Sequence, residues 1–298
     1  MRARAICICR DEGVCGVVER ALGGAGVMVD HHDAIPAEPV EPGEVALFVV
    51  DRQARRQAGD DLRDLGAPVV VVGDDLDDDG LITLMLEAPV SHLVRDPADR
   101  ELGITSEKLV SGDLFGLEKY VATGTRAYER TVSDDTEKRQ AIAQVTAWAE
   151  AIGARRPIVH RLASVIDELL MNALFDAPRE SRPVISLDAG QRRAVLRWAC
   201  DDRILAVSVS DPWGAIRQRD VIDHVRRARD ERGRPNPATL EDPGSGLGLY
   251  LVLANVASLI VNVDPGRQTE VVCLFDLART GNRAIAGGVR SLHVFQAS

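Results

Sequence analysis

Apolar and polar positions alternate with two different rhythms along the chain. From Ala5 to Val94, short apolar runs are separated by amphipathic stretches. Ala5–Cys9 is a short apolar and cysteine run, Gly13–Leu22 has a helical amphipathic pattern, and Val27–Val29 is short and apolar. Val45–Val50 and Pro68–Val72 are unbroken apolar runs between turn signals, as expected of strands buried on both faces. Ile82–Leu86 is a helical candidate and Val90–Val94 a last strand. This alternation predicts an α/β fold with a parallel sheet over residues 1–104.

Residues 105–132 read as a helical connector. Leu109, Leu114, Leu117 and Val121 form an apolar stripe, which Gly112, Gly116 and Gly124 interrupt. A second domain is expected over 133–298. Asp134-x-x-Glu137 is a capping pattern, Ile142, Val145, Trp148 and Ile152 share one helix face, and Gly153 is a terminator. A second helix is predicted from Pro157 to Phe175, burying Ile158, Leu162, Val165, Ile166 and Leu169. Further on come a strand at Ile204–Ser210, an apolar helix at Tyr250–Leu259 and a strand at Glu270–Phe275. The tail Val289–Val294 suits an edge strand, added to the sheet or to a partner.

Composition narrows the function classes. With 298 residues, 45% hydrophobic and 28% charged, the chain has material for two globular cores. A net charge of -10 gives no electrostatic support for nucleic-acid binding. No run approaches the roughly 18 apolar residues of a membrane span. The N-terminal apolar run is short and broken by charge, unlike a signal peptide, so a cytoplasmic location is expected. Cys7, Cys9, Cys15, Cys200 and Cys273 lie mostly in apolar runs; Cys7 and Cys9 face one side of a strand and read as small core residues rather than a metal or redox pair. Asp75, Asp77, Asp79 and Gly80 match half of a calcium loop, but Leu86 occupies the position of its bidentate Glu, so a solvated loop is the better reading.

Three motifs carry chemistry. Glu168 and Asn172 are four residues apart and project from one helix face. A carboxylate there can activate a nucleophile, and an amide oxygen can ligate Mg²⁺. Asp211-Pro212-Trp213-Gly214 follows the strand Ile204–Ser210. Gly244-Ser245-Gly246-Leu247-Gly248 runs into a helix, where glycine backbone N–H groups and the helix N-terminus suit phosphate. A Rossmann fingerprint would need a strand before it, whereas the polar stretch Arg217–Pro243 precedes it.

Taken in order, the three motifs resemble the ATP-binding domain of gyrase, chaperone, histidine-kinase and mismatch-repair (GHKL) ATPases over residues 130–279. The resemblance implies an α+β two-layer fold of the Bergerat type that binds ATP or ADP with Mg²⁺. It implies Glu168 as base, Asn172 as Mg²⁺ ligand, and Asp211 as reader of the adenine amino group. Gly214, Gly244, Gly246, Leu247 and Gly248 would line the nucleotide, with Thr269 close to it. The D-x-G-x-G spacing of the family is incomplete, since Trp213 and Ala215 flank the single Gly214.

The first domain resembles a response-regulator receiver, a flavodoxin-like fold, in degenerate form. Asp51 ends the third strand at the phosphoacceptor position, and Asp11 and Glu12 follow the first strand where an Mg²⁺-binding pair is expected, with Arg10 crowding them. The fourth strand ends in Val72-Gly73 without Ser or Thr, and Arg95-Asp96-Pro97 replaces Lys-Pro. His160 lies eight residues before Glu168 in the same helix, unlike the acceptor of a histidine kinase. The arrangement is most similar to anti-sigma-factor serine kinases. That likeness implies a protein serine/threonine kinase or partner-switching regulator, or else a non-catalytic nucleotide-binding adaptor. The implied partner is a regulatory protein such as a sigma factor or its antagonist; a homodimer is left open.

Overall fold

The computed structural model describes residues 3–36, 40, 43–58, 65–73, 90–98, 100–177, 193–216, 221, 247–278 and 289–297. The chain forms two compact units, Met1–Leu114 with Arg290–His293, and Phe115–Val289 with Val294–Ser298.

In the first unit, strands β1 (Arg4–Ile8), β2 (Met28–His31), β3 (Leu47–Asp51), β4 (Val69–Val72) and β5 (Val90–Val94) form a parallel sheet in the order β2-β1-β3-β4-β5. The apolar runs at β3 and β4 are buried at every position, because helices cover parallel sheets on both faces. Helix α1 (Glu12–Gly24) starts at Asp11, whose carboxylate accepts from the backbone N–H groups of Gly13 at 2.7 Å and Val14 at 3.2 Å. Val18 and Leu22 of α1 join Ala5, Cys7, Leu47, Val49, Val70, Val72 and Leu102 in one core. Helix α2 (Arg52–Ala58) follows β3 directly, and α3 (Arg100–Ser111) packs on α1. Residues Ser291–His293 return to this unit and pair antiparallel with Val94–His92.

The second unit is an antiparallel sheet with helices. Strands β6 (Ala127–Val132), β7 (Ala194–Cys200), β8 (Ile204–Asp211), β9 (Ser258–Asp264) and β10 (Gln268–Asp276) run in the order β9-β10-β8-β7-β6. Helices α4 (Asp135–Ala151), α5 (Arg156–Met171) and α6 (Leu247–Asn255) pack in succession, α4 on α5 and α5 on α6. The final strand β11 (Ser291–Gln296) contributes Val294 onward here, and Ala297 N–H donates to the Val263 carbonyl at 2.8 Å.

Several expectations change. The division falls after Leu114 rather than near residue 104, and no separate connector stands between. Arg100–Ser111 is α3, anchored in the first core through Leu102, whereas Ala127–Val132 is a strand paired with β7. The apolar helix expected to reach Leu259 stops at Asn255, and β9 begins at Ser258. Ile260, Val261 and Val263 are β-branched and suit a strand better than a helix. The segment 82–86 and the acidic loop 74–80 lie outside the described residues.

Candidate functional site

Helix α5 is amphipathic. Ile158, Leu162, Val165, Ile166 and Leu169 are buried, and Arg155 precedes a Pro in the first turn. Glu168 and Asn172 are half-buried, one helical turn apart, near the C-terminal end. Asn172 N–H donates to the carbonyls of Glu168 and Leu169, and from Asn172 to Asp176 the helix widens into a π turn. Such π segments commonly occur at functional sites.

Helix α6 meets this face. A Cβ added to Gly248 would collide with the Glu168 carboxyl and come within 2.9 Å of its Cγ. Glycine at this position lets the Glu168 side chain lie directly against the α6 backbone. Leu247 opens α6, while Gly244 and Gly246 lie outside the described residues.

The end of β8 holds Asp211, which is only 6% exposed. Its carboxylate accepts from Trp213 N–H at 2.9 Å. Burial pushes its pKa up from 3.8 to about 7, against the opposing pull of the Trp213 and Gly214 backbone N–H groups and of Thr269. Thr269, fully buried, lies opposite Asp211 in the β8–β10 register. Gly214 has φ 57°, and its carbonyl accepts from Gly266 N–H at 3.1 Å. A Cβ at Gly214 would lie 2.6 Å from the Gly266 nitrogen and 2.8 Å from that of Arg267. The single glycine kept in the Asp211 turn is thus the one that both backbone angle and space require. Trp213 is half-buried, and its indole N–H has no acceptor among the described residues.

The structure brings Glu168 to Gly248, and Asp211 to Thr269 and the Gly214 turn. It also shows what the sequence reading missed. Lys138, buried on α4, ion-pairs with Asp167 at 2.7 Å and Asp135 at 3.4 Å and lies 3.2 Å from the Met171 sulfur. It pins the end of α5 that carries Glu168 and Asn172. A signal for it existed: Lys138 continues the buried stripe of Ala141, Val145 and Ala149.

In the first unit, Asp51 is nearly buried, and its carboxylate accepts from the backbone N–H groups of Arg10 and of Ala54, the latter at 2.7 Å. Asp11 is engaged as the cap of α1.

No known protein family matches this chain, and no curated protein matches it. Among solved structures, the complex of SiaB and SiaC from Pseudomonas aeruginosa is similar at a TM-score of 0.39 and 12% identity, covering 58% of this chain and 99% of that one. A likeness of that size carries no argument about function. No helix among the described residues is long and apolar enough to cross a membrane.

Proposed function

We propose that this is an ATP-binding signalling protein acting as a protein serine/threonine kinase or anti-sigma-type partner switch. Its second unit is read as a Bergerat-type nucleotide domain and its first as a degenerate receiver. The observation that supports this most is the seat of Glu168 against Gly248, which joins two motifs far apart in sequence. The Asp211 turn fits the adenine end: a buried carboxyl titrating near neutrality offers an acceptor to a base edge, and the Trp213 indole N–H beside it has no acceptor among the described residues.

Bound Mg²⁺-ATP would supply the transferable phosphoryl group and its charge-neutralising metal. Asn172 would hold the ion through its amide oxygen, and the N-terminus of α6 would face the phosphates. Glu168 would take the proton from an attacking serine or threonine hydroxyl of the partner. Positioning and charge neutralisation do most of the work in such transfers.

Calorimetry on the intact protein is the direct test. Mg²⁺-ATP or Mg²⁺-ADP should bind, and the guanine nucleotides more weakly; absence of ATP binding would end this reading. Glu168→Ala should keep nucleotide affinity while transfer to the protein partner falls about 10²- to 10⁴-fold, the usual range for general-base action. The second reading, a non-catalytic adaptor, is favoured by the incomplete glycine pattern around Trp213. It gains if wild type binds ATP yet labels no protein acceptor.

A further inference from the structure

Three thiols converge at the carboxyl end of β1. Cys7 is fully buried on the side of the strand facing α1, Cys9 follows two residues later, and Cys15 approaches from the start of α1. The Cys7 and Cys9 sulfurs are 3.5 Å apart, and all three sulfurs lie within 4.8 Å of one another. Cys15 S–H donates to the Cys9 carbonyl at 3.2 Å, tying the helix thiol to the strand. None of the three is in a disulfide.

Their place in the fold is a second observation. The strand order β2-β1-β3-β4-β5 reverses at β1. In open parallel sheets the crevice beyond the carboxyl ends of the strands, at that reversal, is where ligands bind. Cys9 lies just past the end of β1, and its thiol feels the charge of Asp51 at the end of neighbouring β3. Phosphoryl chemistry is poorly served there, because backbone N–H groups already hold Asp51.

Soft thiolates select thiophilic ions. A metal–sulfur bond of about 2.3 Å sets the sulfurs of a zinc site about 3.8 Å apart. The observed 3.5 to 4.8 Å brackets that spacing. We propose that Cys7, Cys9 and Cys15 bind one soft divalent cation of the zinc class as three thiolates, leaving the fourth position to water or a small ligand. On binding, three S–H bonds give way to three metal–sulfur bonds and three protons pass to solvent, so the site carries one net negative charge. Each thiol must lose its proton to bind the ion, so affinity rises with pH.

The test uses reduced, metal-free full-length protein. Cd²⁺ should titrate to one ion per chain with a thiolate-to-metal charge-transfer band of three-thiolate intensity, and should displace Zn²⁺ bound beforehand. Calorimetry in two buffers of different ionisation enthalpy should report close to three protons released. Cys9→Ser and Cys15→Ser should each weaken Zn²⁺ by more than the roughly 10- to 100-fold lost with an outer-shell partner, and Cys200→Ser should not. As a check free of folding effects, Zn²⁺ should protect Cys9 and Cys15 of wild type, but not Cys200, from alkylation. The site is refuted by unchanged alkylation of Cys9 and Cys15 or by a band of one-thiolate intensity.

Discussion

Burial of Asp211 disfavours its charged form. With a native pKa raised from 3.8 to about 7, its stabilising contribution is fully present below the unfolded pKa. That contribution is lost as pH climbs through about 7, because the unfolded chain gives up the proton first. Asp211→Asn keeps a carbonyl oxygen to accept from Trp213 N–H but never ionises. Its melting temperature should therefore gain on wild type between pH 4 and pH 7 and hold the gain above; by the per-unit conversion the limit is about 4 kcal/mol. A variant that melts below wild type at pH 8 would show that the carboxylate serves the fold. In the nucleotide reading, the same variant should lose the preference for adenine, seen as converging ADP and GDP affinities. Wild-type ADP affinity should fall as pH drops below about 7, while that of the variant stays flatter. Asp211 was legible in the sequence because it ends a run of strand formers before a turn. Its titration near neutrality was not, since that comes from burial in the folded sheet, which outweighs the opposing hydrogen bonds of Trp213, Gly214 and Thr269 and is silent in the linear chain.

Between elements, α6 passes directly against the Glu168 side chain of α5. Gly248→Ala must displace the Glu168 carboxyl, the end of a flexible side chain, and costs at most the roughly 1–3 kcal/mol of core overpacking. The variant should melt lower and, in the kinase reading, lose phosphotransfer, whereas Gly266→Ala, which meets open space at φ 72°, should cost strain only. Melting curves for both, with ATP titrations, separate the two. In the first unit, the backbone grip on Asp51 and the lack of Ser or Thr at Val72-Gly73 give a matching expectation. Acetyl phosphate should not label Asp51, and stoichiometric labelling abolished in Asp51→Asn would contradict it. Elements with one clear rhythm were readable: β3, β4 and β5 from apolar runs, α4 from the Asp134 cap, α5 from its buried face. The strands β6, β7 and β9 were not. Ala127–Val132 and Ala194–Cys200 alternate polar and apolar residues too weakly without their partners, and β9 follows α6 with only a two-residue break. Strand identity there is set by cross-strand pairing, which no local pattern displays.

At the scale of the molecule, the chain enters the first unit twice, the second time with Arg290–His293. The tail Val289–Val294 was legible as a strand, but its neighbour was not, because pairing with β5 joins residues far apart in sequence. The return buries polar groups together. Arg290 pairs with Glu101 at 3.0 Å, Ser291 donates to the same carboxylate, and His293 lies opposite His92 with ring centroids 5.6 Å apart. Lys108 and Thr105 of α3 face this pair. Burial, with the Lys108 charge, lowers the His92 pKa from 6.5 to about 3, and His293 is lowered as well. Both histidines are therefore neutral in the folded protein, whereas the unfolded chain takes up their protons below about pH 6.5. A depressed native pKa means stability present above the unfolded value and lost as pH falls toward the folded one. For His92 the window runs from 6.5 to about 3, with a slope approaching about 1.4 kcal/mol per pH unit for each histidine. Full-length protein melted at pH 7.5, 6.5, 5.5 and 4.5 should lose stability below 6.5. His92→Phe, which removes one titrating ring, should give a flatter curve over the same range, even if its melting temperature at pH 7.5 is shifted. Hydrogen exchange should locate the effect, with the amides of Ser291–His293 losing protection in acid before those of β7 and β8. Parallel curves for wild type and His92→Phe would assign the acid sensitivity to carboxylates elsewhere, such as Glu118 and Asp135, whose lowered pKa values act in the same direction at lower pH.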